Sequence, residues 1–304
     1  MFRQTLKHGL VALATVVISS TAVAQDLTGT LKKIKDTNTI TVGHRDASLP
    51  FSYFDDQQKV IGYAVDICMY VVNEIKKELK LPNLQVKLAP VTSATRIPLI
   101  ANGTIDLECG STTNNAERQK QVAFGPTYYL TATRFVYKKS SGITNVASLK
   151  GKTVVSTAGS TNLKQISEAN TAQNLGLTIL AAKDHPEAFL MVETGRAAAF
   201  VMDDILLAGL VAGSKKPSDF TISSDTLSNP EPYAFMMPRD DAPFNKMVTA
   251  AASKLYKSAE MPALYSKWFD KAVPPKGLVL NQPMTDKMKK ALANPTNNPD
   301  PASY

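Results

Sequence analysis

The sequence alternates repeatedly between short apolar stretches typical of β-strands and longer stretches with helical spacing. In the second half, strands are predicted at residues 153–156, 178–181 and 197–202, and helices at residues 162–173, 186–193 and 203–212. The first half repeats the pattern, with strands predicted at residues 39–43, 84–89 and 105–108, and helices at residues 63–79 and 93–102. Such alternation requires parallel strands joined by right-handed crossovers. The sequence therefore predicts an α/β fold of mostly parallel sheets flanked by helices.

A chain of 304 residues is long enough for about two domains, and two β-rich runs divide it. Residues near 132–138 lead out of the first unit, and residues near 231–237 lead back to it. We therefore predict one lobe from residues 25–134 plus 236–304 and a second lobe from residues 135–235. The tail from Asn294 is rich in proline and asparagine, which predicts a loosely held end.

Polar side chains follow nearly every predicted strand, whereas the strand interiors are apolar. One stretch, ECGSTTNNAERQ at residues 108–119, follows its strand with a glycine, three hydroxyls and two amides, which suits an anion-binding loop. In open α/β sheets, ligands bind beyond the carboxyl ends of the strands. The residues at these ends are His44, Arg45, Thr92, Ser93, Arg96, Ser111, Thr112, Thr113, Ser156 to Thr161, His185, Asp203 and Asp204.

The charged residues of this set indicate the ligand. Arg96 falls in the first turn of the predicted helix 93–102, for which Ser93 is the expected N-cap, and the helix dipole favours acids there. A bound carboxylate is the natural partner for such an arginine, and Arg45 is a second candidate anion clamp. Asp203 could cap its helix or bind an ammonium group, and His185 could likewise cap a helix or contact the ligand. Two arginines with one aspartate match an acidic α-amino acid.

Six segments carry a family resemblance that covers the chain from Leu27 to about Leu292. They are VGHRDASLPFSY at residues 42–53, NGTIDLECGSTTNN at 102–115, AKDH at 182–185, FVMDDILLAG at 200–209, KWFD at 267–270 and VPPK at 273–276. Together they resemble the periplasmic amino-acid-binding proteins that serve ABC importers. The resemblance implies a two-lobe periplasmic binding protein type II fold that closes on its ligand around a two-strand hinge.

The same resemblance implies a role for each site residue. Arg96 would bind the α-carboxylate of the ligand with Thr113 and with Thr161 from the other lobe. Asp203 would take the α-ammonium with Ser111. The side-chain carboxylate would be held by Arg45, Ser93 and His185. The implied partners are L-glutamate or L-aspartate and the permease subunits of an ABC transporter, with no cofactor and a monomeric protein.

The N-terminal residues 1–24 have the features of a secretory signal peptide. Arg3 and Lys7 precede an apolar run at residues 10–18, and small residues end at Ala24. We predict cleavage after Ala24 and a periplasmic protein whose mature chain does not insert into the membrane. The formal charge of +8 for the whole chain becomes +6 without the two basic residues of the leader. Because these charges form no cluster, nucleic-acid binding is not predicted.

Several alternatives remain open at the level of sequence. Cys68 and Cys109 could form a disulfide or remain buried thiols, and two cysteines with the two histidines of the mature chain do not suggest a metal site.

Some relatives on this fold are dehydratases, for which Glu108 and His185 would be the acid or base candidates. The protein could instead deliver its ligand to a chemosensory receptor. Neither alternative is favoured over an importer-linked binding protein.

Overall fold

A computed structural model describes residues 27–304, so the predicted signal peptide lies outside the described residues. The helices are α1 (Gly29–Thr37), α2 (Tyr63–Glu78), α3 (Arg96–Ala101), α4 (Thr161–Ala172), α5 (His185–Glu193), α6 (Asp204–Gly213), α7 (Ala242–Tyr256), α8 (Met261–Phe269) and α9 (Asp286–Ala293). The strands are β1 (Thr39–His44), β2 (Ala47–Ser48), β3 (Ser52–Phe54), β4 (Val60–Ile61), β5 (Gln85–Pro90), β6 (Leu107–Cys109), β7 (Ala123–Phe124), β8 (Tyr129–Thr131), β9 (Thr133–Lys138), β10 (Thr153–Thr157), β11 (Thr178–Ala182), β12 (Ala199–Asp203), β13 (Phe220–Ile222), β14 (Glu231–Tyr233), β15 (Met236–Met237), β16 (Ala272–Val273) and β17 (Leu278–Val279).

Each lobe is built on one five-stranded sheet with the same plan. In the first lobe the strand order is β5-β1-β6-β15-β7, and in the second it is β11-β10-β12-β9-β13. Three neighbouring strands of each sheet are parallel, and the fourth runs antiparallel to them. The carboxyl ends of the parallel strands carry the polar residues that the sequence singled out. The predicted two-lobe α/β fold is confirmed.

A two-stranded antiparallel ribbon joins the lobes, formed by β8 and β14. The sequence placed the outward crossing near residues 132–138, and this position is wrong because β9 belongs to the second sheet, where Thr133 pairs with Asp203. A β-rich run has the same composition whether it connects two sheets or lies within one. Tyr129 and Tyr233 of the ribbon pack on Phe51, with ring centroids 5.0 Å and 5.2 Å away, which anchors the connection to the first lobe.

The C-terminal segment packs against the first lobe, and the prediction of a loose tail is wrong. The backbone N–H of Thr127 donates to the carbonyl of Thr296 at 2.9 Å, and Asn114 Nδ2 donates to the carbonyl of Asn297 at 2.9 Å. The Asn297 amide in turn donates to the carbonyl of Phe124 at 3.2 Å. Thr296 and Asn297 therefore pair with groups of a distant loop, which the composition of the tail does not predict.

Cys68 of α2 and Cys109 of β6 form a disulfide, which the sequence had left open. Their Cα atoms lie 6.1 Å apart, and both side chains are buried in the apolar core. The bond fixes the long helix of the first lobe to the strand that leads into the loop after Cys109. It therefore supports the base of that loop.

Replacing both cysteines by serine is expected to lower the free energy of unfolding. The bond closes a loop with a sequence separation of 41 residues. Loop-closure entropy then gives a loss of about 4 kcal/mol. Denaturant unfolding of the ligand-free protein measures it, with wild-type protein in reductant as the matched comparison. A change below about 1 kcal/mol in both samples would contradict the expectation.

No helix within residues 27–304 is long and apolar enough to span a membrane.

Candidate functional site

A small cavity lies between the carboxyl ends of the two sheets. Its lining consists of Ser93, Arg96, Ser111, Thr113, Ser160, Thr161, Asn162, His185, Met202, Asp203 and Leu206. Seven of the eight predicted site residues are in this lining, and the eighth, Arg45, contacts two of them. The cavity encloses only about 10 Å³, roughly the space of one water molecule. The two lobes are therefore closed on one another.

Arg45 and Arg96 form a buried cationic group at one end of the cavity. Arg45 Nη2 donates to Ser93 Oγ at 3.0 Å and lies 3.3 Å from His185 Nε2 in the second lobe. Both residues are 3% exposed, so neither is a surface arginine. Burial, together with the charge of Arg96, lowers the pKa of Arg45 to about 10, and it stays charged at neutral pH.

Ser93 does not cap a helix, so that prediction is wrong. Helix α3 begins only at Arg96, and its N-cap position is Thr95. The hydroxyls of Thr92 and Thr95 bond to each other's backbone N–H groups and form a turn that delays the helix. Ser93 is thereby free to accept from Arg45. Arg96, as the first residue of α3, directs its guanidinium away from the helix.

His185 lies between the two lobes in its neutral form. Burial, with the charges of Arg45 and Arg96, holds the pKa of His185 well below its usual range. Since Arg45 can only donate, Nε2 of His185 accepts from it, and Nδ1–H donates to Thr157 Oγ1 at 2.8 Å. The capping alternative for His185 is wrong, because Asp184 caps α5 by accepting from the backbone N–H of Glu187.

The loop after β6 forms the floor of the first lobe's half of the site. Arg96 Nη1 donates to the Ser111 carbonyl at 2.9 Å and to Thr112 Oγ1. Ser111 Oγ is buried and has no hydrogen-bond partner among the residues that the structure describes. Thr113 bridges to Tyr233 of the hinge ribbon. The loop is therefore held from one side by Arg96 and from the other by the hinge.

Asp203 ends β12 and lines the cavity from the second lobe. Its carboxylate accepts from Asn162 Nδ2 at 2.7 Å and from the hydroxyl of Tyr233. It occupies the N-cap position of α6 but makes no side-chain capping bond within the described chain, so the capping alternative is wrong. Burial raises the pKa of Asp203, and the bonds from Tyr233 and Asn162 oppose that rise.

Arg118 is the main residue that the sequence prediction missed. It is buried, its Nη1 donates to the Thr113 carbonyl at 2.8 Å, and its Nη2 reaches the Gly159 carbonyl of the other lobe at 3.1 Å. Burial, followed by the charge of Arg96, lowers the pKa of Arg118 to about 9. The only sequence signal was its position within residues 108–119, since it follows no strand directly.

The three arginines divide the site into two ends. The charges of Arg45 and Arg96 lower the pKa of His185, whereas the charge of Arg118 lowers the pKa of Asp203. One end therefore carries two cations around a neutral histidine. The other end carries one cation beside a buried carboxylate.

The pattern of the family described as bacterial extracellular solute-binding proteins, family 3, matches residues 40–271, which is more than half of the chain.

The chain belongs to this family.

Known proteins share the chain's sequence or its fold. It is 50% identical over 286 residues to an L-glutamate/L-aspartate-binding protein of Pseudomonas aeruginosa, with 94% of each chain covered. It is 43% identical over 296 residues to a glutamate/aspartate import solute-binding protein of Escherichia coli, with 96% of this chain and 98% of the relative covered. A crystal structure of a mutant of ArgBP from T. maritima superposes with a TM-score of 0.69 at 26% identity, covering 78% of this chain and 98% of that one.

Of the two acid–base candidates for a dehydratase, only His185 lines the cavity within the described residues. Glu108 is fully buried on β6 and is not part of the cavity lining within residues 27–304. His185 is held between Thr157 and Arg45. The described residues also contain no group of three histidine, cysteine, aspartate or glutamate side chains that could bind a metal ion.

Proposed function

We propose that the protein binds L-glutamate or L-aspartate in the periplasm and delivers it to the permease of an ABC importer. One observation carries the proposal: Arg96 and Asp203 line one closed cavity from different lobes, and the buried residues Arg45 and Arg118 bond to other residues of that lining. An acidic α-amino acid has two carboxylates and one ammonium group. The names of the two relatives support the same ligands, and the name of the Escherichia coli relative also supports a role in import.

The positions of the charges support a division of roles that differs from the one the family resemblance implied. Asp203 binds the α-ammonium of the ligand, with Ser111 Oγ as a second acceptor. The charge of Arg118 lowers the pKa of Asp203, and its guanidinium donates to the carbonyl of Thr113. Arg118 is therefore better placed than Arg96 to bind the α-carboxylate. Thr113 and Thr161 assist it from the two lobes.

At the other end, Arg96 joins Arg45 in binding the side-chain carboxylate. The charges of both arginines lower the pKa of His185, and Ser93 accepts a hydrogen bond from Arg45 at this end. Charge-assisted hydrogen bonds from paired guanidinium groups are the strong kind, and they favour a carboxylate over the neutral amide of glutamine. The side-chain end is thus where acidic ligands are distinguished from their amides.

The size of the cavity requires the lobes to move during binding. About 10 Å³ cannot hold an amino acid, so the lobes separate before the ligand enters. The ligand then takes part in the contacts that now join the lobes directly, from Arg45 to His185 and from Arg118 to Gly159. Because it contacts groups of both lobes, it stabilises the closed state, which the permease recognises.

The remaining predictions complete this proposal. The signal peptide is cleaved after Ala24, and the mature protein is a monomer that needs no cofactor. The sequence predicts lobe 1 as residues 25–134 plus 236–304 and lobe 2 as residues 135–235. Because residues 133 and 134 pair within the second sheet, we place the first boundary at residue 132 instead.

Calorimetric titration of the mature protein tests the proposal. Glutamate and aspartate are expected to bind with dissociation constants of about 1 μM or below, equivalent to about 8 kcal/mol. Glutamine and arginine, which lack a side-chain carboxylate, are expected to bind at least about 100-fold more weakly, the effect of leaving buried charges unpaired. Absence of heat with both acids would overturn the proposal, and so would equal affinity for all four amino acids.

A further inference from the structure

Glu108 is a buried carboxylate in an apolar region of the first lobe. It lies on β6 opposite Gly43 of β1 and Met236 of β15, and it is 0% exposed. A Cβ atom built at Gly43 would lie 3.7 Å from Glu108 Cγ and would meet Ile105, so the glutamate stem runs along an apolar face. Placing a carboxylate there costs free energy unless other groups compensate it.

The carboxylate head of Glu108 reaches the underside of the loop that forms the site. Its Oε2 accepts from Thr112 Oγ1 at 2.8 Å, and the same hydroxyl oxygen accepts from Arg96 Nη1. A threonine hydroxyl has one proton, so donation to Glu108 leaves its oxygen free to accept from Arg96. Arg96, Thr112 and Glu108 therefore form one directed chain of hydrogen bonds.

Gly110 shows how closely the carboxylate approaches the site. A Cβ atom at Gly110 would overlap Glu108 Oε1 and would lie 2.8 Å from Arg45 Cγ. The carboxylate thus lies directly beneath the loop, next to the stem of Arg45. Its Oε1 has no hydrogen-bond partner within residues 27–304. Glu108 is therefore the acidic group beneath the end of the cavity that carries Arg45 and Arg96.

We propose that Glu108 is a positioning residue that holds Arg96 through Thr112 and sets the net charge of the side-chain end of the site. This inference rests on the proposed function. With Glu108 ionised, Arg45 and Arg96 present a net charge of one, which a single ligand carboxylate neutralises. Burial raises the pKa of Glu108 overall, and Arg96, the Thr112 hydrogen bond, Arg45 and Arg118 oppose that rise, so these groups are what favour its ionised form.

The variant Glu108→Gln separates the charge of this residue from its hydrogen bond. A glutamine carbonyl can still accept from Thr112, but the two arginines then lose their buried counter-charge. A ligand carboxylate is then no longer repelled by the charge of Glu108, and it neutralises a larger positive charge on the arginines. A ligand amide is uncharged and gains neither effect. The ratio of glutamate to glutamine affinity is expected to rise about ten-fold, the size of a one-unit pKa effect from a neighbouring charge.

Thr112→Val separates the hydrogen-bond chain from the charge. Valine keeps the shape of the side chain but cannot connect Arg96 to Glu108, so glutamate affinity is expected to fall about ten-fold, the cost of one charge-assisted hydrogen bond. Glutamine affinity should change less, and Thr112→Ser should restore wild-type behaviour. A role limited to folding would change both ligands alike.

Both affinities are measured by calorimetry, with glutamine in competition against glutamate. Asp286→Asn is the matched control, because it removes a carboxylate whose side chain is 97% exposed and leaves the ratio unchanged. If wild-type protein binds no glutamate, the proposed function fails. If wild-type binds but Glu108→Gln keeps the wild-type ratio, only the inference about Glu108 fails. If that variant does not fold, equal losses for both ligands in Thr112→Val overturn the inference.

Discussion

Arg118→Ala is expected to weaken the binding of glutamate, aspartate and glutamine alike, by about 3 kcal/mol or more, which is at least about 100-fold. All three ligands share the α-carboxylate that we assign to Arg118. The same side chain also bonds to the Thr113 carbonyl of one lobe and the Gly159 carbonyl of the other. Its loss therefore removes a ligand contact and a bond between the closed lobes. Calorimetric titration with each ligand measures the effect.

Two controls separate these contributions of Arg118. Lys120→Ala removes an exposed cation two residues away and should leave all affinities within about two-fold, as expected for a screened surface charge. A ligand with an ammonium group and one carboxylate, such as 4-aminobutanoate, cannot use the α-carboxylate contact and should lose less than glutamate does. A loss restricted to glutamate and aspartate would instead assign Arg118 to the side-chain end.

The positions of the polar residues could be predicted because they follow a rule about sheets. A residue at the end of a buried parallel strand, or within two residues beyond it, lies at the carboxyl edge, and Arg45, Ser111 and Asp203 are placed in this way. Seven predicted residues line one cavity because two sheets of the same plan face each other with these edges. Strand periodicity locates these edges, whereas the family resemblance implied that two of them close on one ligand.

The direction of a side chain could not be predicted in the same way. Arg118 lies in a turn nine residues beyond the end of β6, and only the folded chain brings its guanidinium back to Thr113. Ser93 carried a valid capping pattern, yet a local turn between Thr92 and Thr95 moved the helix start to Arg96. Local hydrogen bonds of hydroxyl side chains compete with helix formation by small margins, so the sequence does not settle the outcome.

The C-terminal tail shows a second limit of prediction from sequence. Composition predicted a loose end, but backbone groups of residues near 296 pair with a loop more than 160 residues earlier in the chain. Such a match depends on two distant segments being brought together by the core. Which ligand carboxylate Arg96 binds likewise depends on neighbouring charges in space rather than on spacing along the chain.

Arg96→Ala is also expected to cause a large loss of affinity, and the size of the loss should depend on the ligand. Glutamate affinity is expected to fall by about 3 kcal/mol, roughly 100-fold, because a buried carboxylate loses one of its two cations and Glu108 loses its closest counter-charge. Glutamine brings no side-chain charge to this end and should lose less than about ten-fold, the value of one neutral hydrogen bond. Arg45→Ala should show the same preference, since both arginines act on His185.

The comparison of glutamate with glutamine in these variants decides between the two assignments. If Arg96 bound the α-carboxylate, its removal would weaken both ligands equally, and the ratio of their affinities would stay at the wild-type value. If it binds the side-chain carboxylate, the ratio falls at least about ten-fold, since only the charged ligand depends on it. Glutamate binding by Arg96→Lys adds a further distinction. Lysine supplies the charge without the planar fork, so partial recovery would attribute the remaining loss to bidentate geometry.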